Sequence, residues 1–156
     1  KIDPSLIRGV IHQESMFDAK SLSPAGARGL MQLMPETGKR MSSGETKPFT
    51  AEDLFDPDVN IQLGAKYLGE LIRQTGNNSA HVLISYNAGP DALKRWLQQF
   101  QYLKDPDEFV ESIPFPETRI YVRRVLRNYE MYKYLYPAEK RVKDDSPDEG
   151  LESSIH

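Results

Sequence analysis

Cysteine is absent from the 156-residue sequence, which excludes disulfide bonds and thiolate metal sites. No apolar run approaches the roughly 20 residues that a membrane-spanning helix requires. A strong charge of one sign is also missing, because the formal net charge is only −3. The net charge therefore does not favour binding to nucleic acid or to an anionic membrane, and we predict no nucleic-acid partner. The missing cysteines leave the redox compartment open.

Strand patterns are missing as well, since no stretch alternates apolar and polar residues with β-branched enrichment. We predict an all-α fold of seven to nine helices. The length suits one domain, which we place at residues 1–136. Residues 137–156 are polar, acidic near the end and nearly free of apolar side chains, so we predict a disordered acidic tail.

Two helix starts are predicted from a capping residue followed by proline, at Asp3-Pro4 and Asp56-Pro57. Ser79 is the predicted cap of another helix, which Gly89-Pro90 ends. A capping-box pattern at residues 50–53 indicates a further helical turn. The predicted helices cover residues 3–17, 35–41, 56–76, 79–89, 90–100 and 116–135.

The last third of the domain contains two predicted breaks. Asp105-Pro106-Asp107 predicts a turn, and the two prolines within 113–116 require extended backbone there. The final helix follows, and its core-facing side chains are predicted to be Ile120, Val122, Val125, Leu126, Tyr129 and Tyr132.

Glu14 is the most informative single residue. It falls at i, i+3, i+4 and i+7 with Ile11, Val10 and Ile7, which places a carboxylate in an apolar helical stripe. Desolvation disfavours the charged form of a carboxyl, so such a Glu keeps its proton near neutral pH and can act as a general acid. The alternative is that this face of the helix is exposed to solvent at the helix end, so that Glu14 is an ordinary solvated carboxylate.

Three segments together resemble the catalytic domain of the soluble lytic transglycosylases, lysozyme-like enzymes that cut bacterial peptidoglycan. The third segment most resembles family 1 of these enzymes. The resemblance covers residues 1–136, with no departure at the motif positions. The three segments are Glu14-Ser15 with Ser23-Pro24-Ala25-Gly26-Ala27-Arg28-Gly29-Leu30-Met31-Gln32-Leu33-Met34-Pro35, then Ser85-Tyr86-Asn87-Ala88-Gly89-Pro90, and Glu111-Ser112-Ile113-Pro114-Phe115-Pro116-Glu117-Thr118-Arg119-Ile120-Tyr121-Val122.

The resemblance implies a lysozyme-like fold with a glycan-binding cleft and one catalytic carboxyl. Most glycosidases use two carboxylates, but substrate-assisted enzymes replace one with the substrate's own N-acetyl group. By the resemblance, Glu14 protonates the glycosidic oxygen between MurNAc and GlcNAc and then, as a carboxylate, takes the proton from the O6 hydroxyl of the sugar. The implied product is a 1,6-anhydroMurNAc end.

The resemblance also implies a set of substrate-binding residues, each with a structural alternative. The serines suit helix-end and turn bonding, the methionines core packing, and Asn87 a cap. Gln32 is more telling, because an amide inside an apolar run must find polar partners. The implied substrate-binding residues are Ser15, Ser23, Met31, Gln32, Met34, Tyr86, Asn87, Glu111 and Tyr121.

No metal and no cofactor is predicted, since His12, His81 and His156 lack metal-ligand spacing. The expected partner is the peptidoglycan glycan strand, bound by a monomer. Because the chain begins at Lys1 without a signal-peptide pattern, we expect a processed or excised fragment. The bacterial periplasm or cell envelope then follows from the substrate alone.

Two other functions stay open from the sequence. The first is a muramidase of the same fold, which uses water as acceptor and needs a base, for which Glu111 is the candidate. The second is a peptidoglycan-binding module without activity, which is expected to have lost the acid that this chain keeps at position 14.

Overall fold

The structure is a computed structural model that describes residues 2–101 and 103–137. Its α-helices confirm the predicted all-α class, and a 3-10 helix, Ala51–Phe55, precedes the third of them. The described residues contain no β-strand, only isolated bridges of Arg28 with Leu22 and Leu33. In chain order the helices are α1 (Pro4–Ser15), α2 (Pro35–Met41), α3 (Pro57–Thr75), α4 (Ser79–Ala88), α5 (Pro90–Gln99), α6 (Pro106–Ser112) and α7 (Pro116–Leu135).

The predicted pattern of a capping residue followed by proline is confirmed at the starts of α1 and α3. The Asp3 side chain accepts from the Ser5 amide, and the Asp56 side chain accepts from the amides of Asp58 and Val59. Thr50 and Asp53 form the predicted capping box. These bonds satisfy amides that the first turn of a helix otherwise leaves without partners.

Two local predictions are wrong. The cap of α4 is Asn78, whose side chain accepts from the His81 amide at 3.0 Å, so Ser79 is the first helical residue. Residues 106–112 form helix α6 rather than only a turn. Asp105 caps α6 by accepting from the amides of Asp107 and Glu108 at 2.8 and 3.1 Å.

The core-facing side of α7 also differs in part from the prediction. Ile120 is 40% exposed, because it lies two residues from both Thr118 and Val122, which are buried. Two residues turn a helix by about 200°, so these neighbours point away from Ile120. The buried residues of α7 are Thr118, Tyr121, Val122, Val125 and Asn128.

The core is built around α4 and the crossing of α1 with α7. Four consecutive residues of α4, Val82–Ser85, are buried, which is typical of a helix covered on every side. This helix packs against α3, α5 and α7. Val10 and Ile11 of α1 are buried where α1 packs on α7. The α1 stripe thus ends at Glu14 beside α7.

The predicted boundary at residue 136 follows the end of α7 at Leu135. Apart from Pro137, the predicted disordered tail lies outside the described residues. Within the described part of the chain, no helix is both long and apolar enough to cross a membrane.

Candidate active site

Glu14 occupies the last turn of α1 and is partly buried. The hydroxyl of Tyr121 donates a hydrogen bond of 2.8 Å to its Oε1 atom. Burial raises the pKa of Glu14 from 4.5 to about 7, against the lowering effect of the Tyr121 bond, and the negative charge of Glu117 adds to the rise. A carboxyl with this pKa exchanges its proton near neutral pH, which a group acting first as acid and then as base requires.

Two tyrosines lie close enough to Glu14 for its charge to act on them. Burial is the main cause that raises the pKa of both Tyr86 and Tyr121 well above 10, and the charge of Glu14 is the second. Both hydroxyls therefore keep their protons and act as donors. Tyr86 donates to the Met31 carbonyl at 2.8 Å, so its partner is the loop backbone rather than the Glu14 carboxyl.

The loop between α1 and α2 closes over the end of α1. The Ser15 hydroxyl donates to the Leu30 carbonyl at 2.8 Å and to the Ile11 carbonyl at 3.2 Å. The Ser23 hydroxyl accepts from the Ala27 amide at 3.0 Å. Both serines thus make the helix-end and turn bonds of the structural alternative, and their contact with a sugar stays a prediction.

The three predicted residues of the 31–34 run have different surroundings. Met31 is fully buried against Gly64, where an added Cβ would lie 2.2 Å from the Met31 sulfur. Its side chain therefore fills the core, and its contact with a substrate stays a prediction. The amide nitrogen of Gln32 donates to the carbonyls of Gly29 and Ser21 at 2.9 and 3.1 Å. Met34 reaches the surface with 37% of its area exposed.

Asn60 of α3 holds this loop, and the sequence analysis missed it. Its Oδ1 atom accepts from the Met31 amide at 2.8 Å, and its Nδ2 atom donates to the carbonyls of Arg28 and Leu54 at 2.9 and 2.7 Å. The side chain is fully buried. Gly29 lies so close, at a φ of +73°, that an added Cβ would approach the Leu54 oxygen to 2.1 Å.

Asn87 is held at the end of α4 and borders a cavity. Its Oδ1 atom accepts from the Thr118 hydroxyl at 2.8 Å, while no described residue accepts from its amide nitrogen. Asn87 lines a cavity of about 260 Å³ together with Trp96, Phe115 and Glu117. Glu117, which the sequence analysis placed only at a helix start, lines this cavity, and its charge also acts on Glu14. Its spacing of four residues from Tyr121 is a signal that could have identified it.

Glu111 lies on the exposed surface of α6 and forms an ion pair of 2.9 Å with Arg123. Within the described residues, no hydrogen bond or ion pair joins it to Glu14. Glu117, not Glu111, is the acid whose charge acts on Glu14. The substrate-binding role of Glu111 stays a prediction.

A metal centre has no candidate in the part of the chain that the structure describes, because no group of three or more His, Asp or Glu residues converges there. The expectation of no cofactor stays a prediction.

Comparisons with known proteins give one family. Residues 1–109 match the family described as Transglycosylase SLT domain. The soluble lytic murein transglycosylase of Salmonella typhimurium is 37% identical over 151 residues, which cover 93% of this chain and 23% of the relative. The protein of the same name from Escherichia coli K12 is 40% identical over 136 residues, which cover 86% of this chain and 21% of that relative.

Solved structures agree. The 70-kDa soluble lytic transglycosylase of E. coli superimposes with a TM-score of 0.83 at 39% identity, over 86% of this chain and 22% of that one. The lytic transglycosylase Slt of Pseudomonas aeruginosa, solved as an inactive Glu-to-Gln mutant, gives 0.75 at 36% identity, over 94% and 23%. The chain thus spans less than a quarter of the length of these relatives. It has the lysozyme-like helical fold and belongs to the SLT family of lytic transglycosylases.

Proposed function

We propose that this chain is the catalytic domain of a peptidoglycan lytic transglycosylase, with Glu14 as its only acid and base. The domain cleaves the β-1,4 bond from MurNAc to GlcNAc and leaves a 1,6-anhydroMurNAc end. The observation that carries the proposal is the setting of Glu14, whose burial raises its pKa to about 7. The murein-cleaving names of the relatives and the inactive Glu-to-Gln mutant of the P. aeruginosa protein support it.

In the first step, protonated Glu14 donates its proton to the glycosidic oxygen as the bond from MurNAc C1 breaks. The GlcNAc part leaves with a free O4 hydroxyl. The acetamido oxygen of MurNAc closes on C1 and forms an oxazolinium-like intermediate, which replaces the second carboxylate of ordinary glycosidases. The buried surroundings of Glu14 favour this step, because they disfavour its charged form and so keep the proton available.

In the second step, Glu14 is a carboxylate and takes the proton from the O6 hydroxyl of the same MurNAc. O6 then attacks C1, the oxazolinium ring opens and the 1,6-anhydro bond forms. The proton returns to Glu14, so the cycle closes without water. Tyr121 supports this step, because its hydrogen bond to Oε1 stabilises the carboxylate form of Glu14 between the two proton transfers.

The glycan strand is proposed to lie in a cleft beside Glu14. The groups that we propose for contact with the strand are the Asn87 amide nitrogen, the exposed Met34 side chain and the Glu117 carboxylate. Tyr86 and Gln32 support the proposal, since their hydrogen bonds hold the backbone of Met31 and Gly29. Because peptidoglycan is the substrate, we place the protein in the bacterial periplasm or cell envelope.

A muramidase that uses water is the second candidate, and Glu117 is the observation that favours it. Its charge contributes to the raised pKa of Glu14, so two carboxyl groups share one region, as in ordinary glycosidases. In that mechanism Glu117 activates water and the product carries a reducing end. The two candidates differ in their product by one molecule of water.

The test is mass spectrometry of the soluble products that the domain releases from purified peptidoglycan. We expect muropeptides lighter by one water than their reducing-end counterparts. Glu14→Gln should lower the release by at least about 1000-fold, because an amide has no proton to donate. Glu36→Gln, an exposed change at the start of α2, is the matched control and should retain activity. Full activity of Glu14→Gln would contradict the proposal.

A further inference from the structure

The solvent side of α7 carries a regular row of apolar and basic residues. Five exposed residues follow one another at i, i+4, i+7, i+11 and i+14, a spacing that aligns them along one face of a helix. Two arginines stand in the middle of the row, and apolar or aromatic residues stand at its ends. We call this face the α7 stripe, and its residues are Ile120, Arg124, Arg127, Met131 and Tyr134.

The apolar residues of the α7 stripe are open to solvent. Ile120 is 40% exposed, Met131 is 38% exposed and Tyr134 is 84% exposed. The buried residues of α7 lie on its other side, which packs on α1 and α4, so the core does not account for this row. Large apolar side chains aligned on one exposed face are typical of a surface that binds a partner.

The two arginines give the α7 stripe a positive centre. No salt bridge joins Arg124 or Arg127 to a described residue. Of the two acids on α7, Glu130 pairs with Lys133 at 3.0 Å, and Glu117 lies two turns, about 10 Å, before Arg124. The guanidinium group binds carboxylates through two parallel hydrogen bonds, so the centre of the stripe favours an acidic partner.

The chain itself contains a segment with the complementary charge. Residues 144–152 include five acidic side chains and no lysine or arginine, and Leu151 lies near the end of this segment. The basic residues of the tail, at positions 140, 141 and 143, all precede the acidic segment. Read backwards from the end of α7, the stripe has its two arginines first and Ile120 last. The acidic segment has its carboxylates first and Leu151 after most of them, so the two sequences match in an antiparallel direction.

The tail is long enough to bring these groups together. Arg127 lies eight residues before the end of α7 at Leu135, which is about 12 Å along the helix, and Arg124 lies about 16 Å from that end. The seven residues from Pro137 to Asp144 span up to about 23 Å when extended. The acidic segment therefore reaches both arginines if the chain reverses direction after α7.

We propose that residues 144–151 bind the α7 stripe of the same chain, with carboxylates on the two arginines and Leu151 toward Ile120. Attachment to the same chain gives the segment an effective concentration of about 1 mM or more, so weak exposed ion pairs suffice. A second copy fits this face less well. Pairing by a two-fold axis centred on the stripe sets Arg127 against the same residue of the other copy, and like charges repel.

A single spin label on the full chain tests the proposal. Because the sequence has no cysteine, Ser153→Cys carries the only nitroxide, and paramagnetic broadening of ¹⁵N-amide signals reports which residues the label approaches. We expect the strongest broadening at residues 116–124 of α7. High salt should weaken this broadening, because salt screens exposed ion pairs.

Replacement of both arginines should release the tail. With Arg124→Gln and Arg127→Gln together, we expect the equilibrium constant for docking to fall about tenfold, the size expected for two exposed ion pairs. Amide substitutions in the acidic segment should give the same loss. Arg95→Gln is the matched control, because Arg95 is an exposed arginine of α5 outside the stripe, and it should leave the broadening unchanged. The amide substitutions are Asp144→Asn, Asp145→Asn, Asp148→Asn and Glu149→Gln.

Three results would overturn the proposal. The first is broadening confined to the end of α7 near residue 135, since a tail that does not dock approaches only the residues from which it leaves. The second is unchanged broadening in the double arginine variant. The third comes from a mixture of spin-labelled chains without ¹⁵N and ¹⁵N-labelled chains without the nitroxide. Broadening of the α7 stripe in this mixture would assign the face to a second copy.

Discussion

Glu14 owes its chemistry to the position at which α1 ends. Val10 and Ile11, one turn earlier, are buried. The next residue, Ser15, donates a hydrogen bond to the Leu30 carbonyl of the loop. The carboxyl is therefore close enough to the core to lose much of its hydration and close enough to the surface to meet a substrate. Its pKa of about 7 is the balance of burial, the Tyr121 bond and the Glu117 charge.

Folding stability should depend on the ionisation of Glu14. Below pH 4.5 the carboxyl is protonated in both the folded and unfolded states, so burial of the charge costs nothing. Between 4.5 and about 7 only the unfolded state releases the proton, so the free energy of unfolding falls as the pH rises. Above about pH 7 the carboxyl is charged in both states, and burying this charge lowers the free energy of unfolding by the full amount, about 3 kcal/mol.

Urea unfolding of wild type and Glu14→Gln at about pH 4 and about pH 8.5 measures this term. The free energy of unfolding should fall between these two pH values by about 3 kcal/mol more in wild type than in Glu14→Gln, since Gln does not ionise. The Glu36→Gln control should decline like wild type. Equal declines in wild type and Glu14→Gln would show that burial does not hold the proton on Glu14.

The two neighbours of Glu14 should move the alkaline limb of the pH–activity profile in opposite directions. Tyr121→Phe removes a bond that stabilises the carboxylate, so the pKa of Glu14 rises and the limb moves to higher pH. Glu117→Gln removes a repelling charge, so the pKa falls and the limb moves to lower pH. The measurement is kcat/KM against pH for both variants. Shifts in the same direction would contradict this account of the pKa.

At the scale of elements, the loop of residues 16–34 depends on α3. Asn60, which is itself fully buried, binds three backbone groups, from Arg28, Met31 and Leu54. Tyr86 of α4 adds a fourth bond, to the Met31 carbonyl. The loop that borders the site is therefore fixed by side chains from α3 and α4.

Removal of the Asn60 side chain should destabilise the fold and weaken the site. Asn60→Ala removes the bonds that Asn60 makes to the buried Met31 amide and the buried Leu54 carbonyl, and we expect a loss of about 3 kcal/mol in the free energy of unfolding. Denaturant unfolding measures the loss. The exposed Asn77→Ala is the matched control and should change stability by less than about 0.5 kcal/mol. A comparable loss in both variants would contradict the role of Asn60.

Local chemistry explains which elements the sequence could predict. Asp-Pro pairs and the capping box determine helix starts within four residues, so α1, α3 and the 3-10 helix were accessible from sequence. The same signature at Asp105-Pro106 starts α6, but the helix is only seven residues long and shows too little periodicity to be recognised.

Contacts between distant residues explain what could not be predicted. Ile120 looked like a core residue by type, whereas the packing of α7 on α1 and α4 determined which side is buried. Asn60 gave a weak signal, since a polar residue lies three positions before Leu63 in a buried stripe. Its three partners depend on a loop path that spacing does not reveal. Glu117 also gave only a weak signal, its spacing of four residues from Tyr121, and its effect on Glu14 depends on the crossing of two helices.

At the scale of the whole molecule, the site is an assembly of separate segments. Glu14 and Tyr121 are 107 residues apart in sequence, and Tyr86 and Met31 are 55 apart. All four are brought together by the packing of α1, α4 and α7. The relatives are more than four times as long as the matched part of this chain.

The central claim is that Glu14 passes one proton out and takes one proton back, with the substrate's own O6 as acceptor. Incubation of the wild-type domain with purified peptidoglycan in ¹⁸O-labelled water tests this most directly, with mass spectrometry of the products. We expect 1,6-anhydro ends without label, because water takes no part in the cycle. Reducing ends that carry ¹⁸O would contradict the claim and would make Glu117 the candidate base.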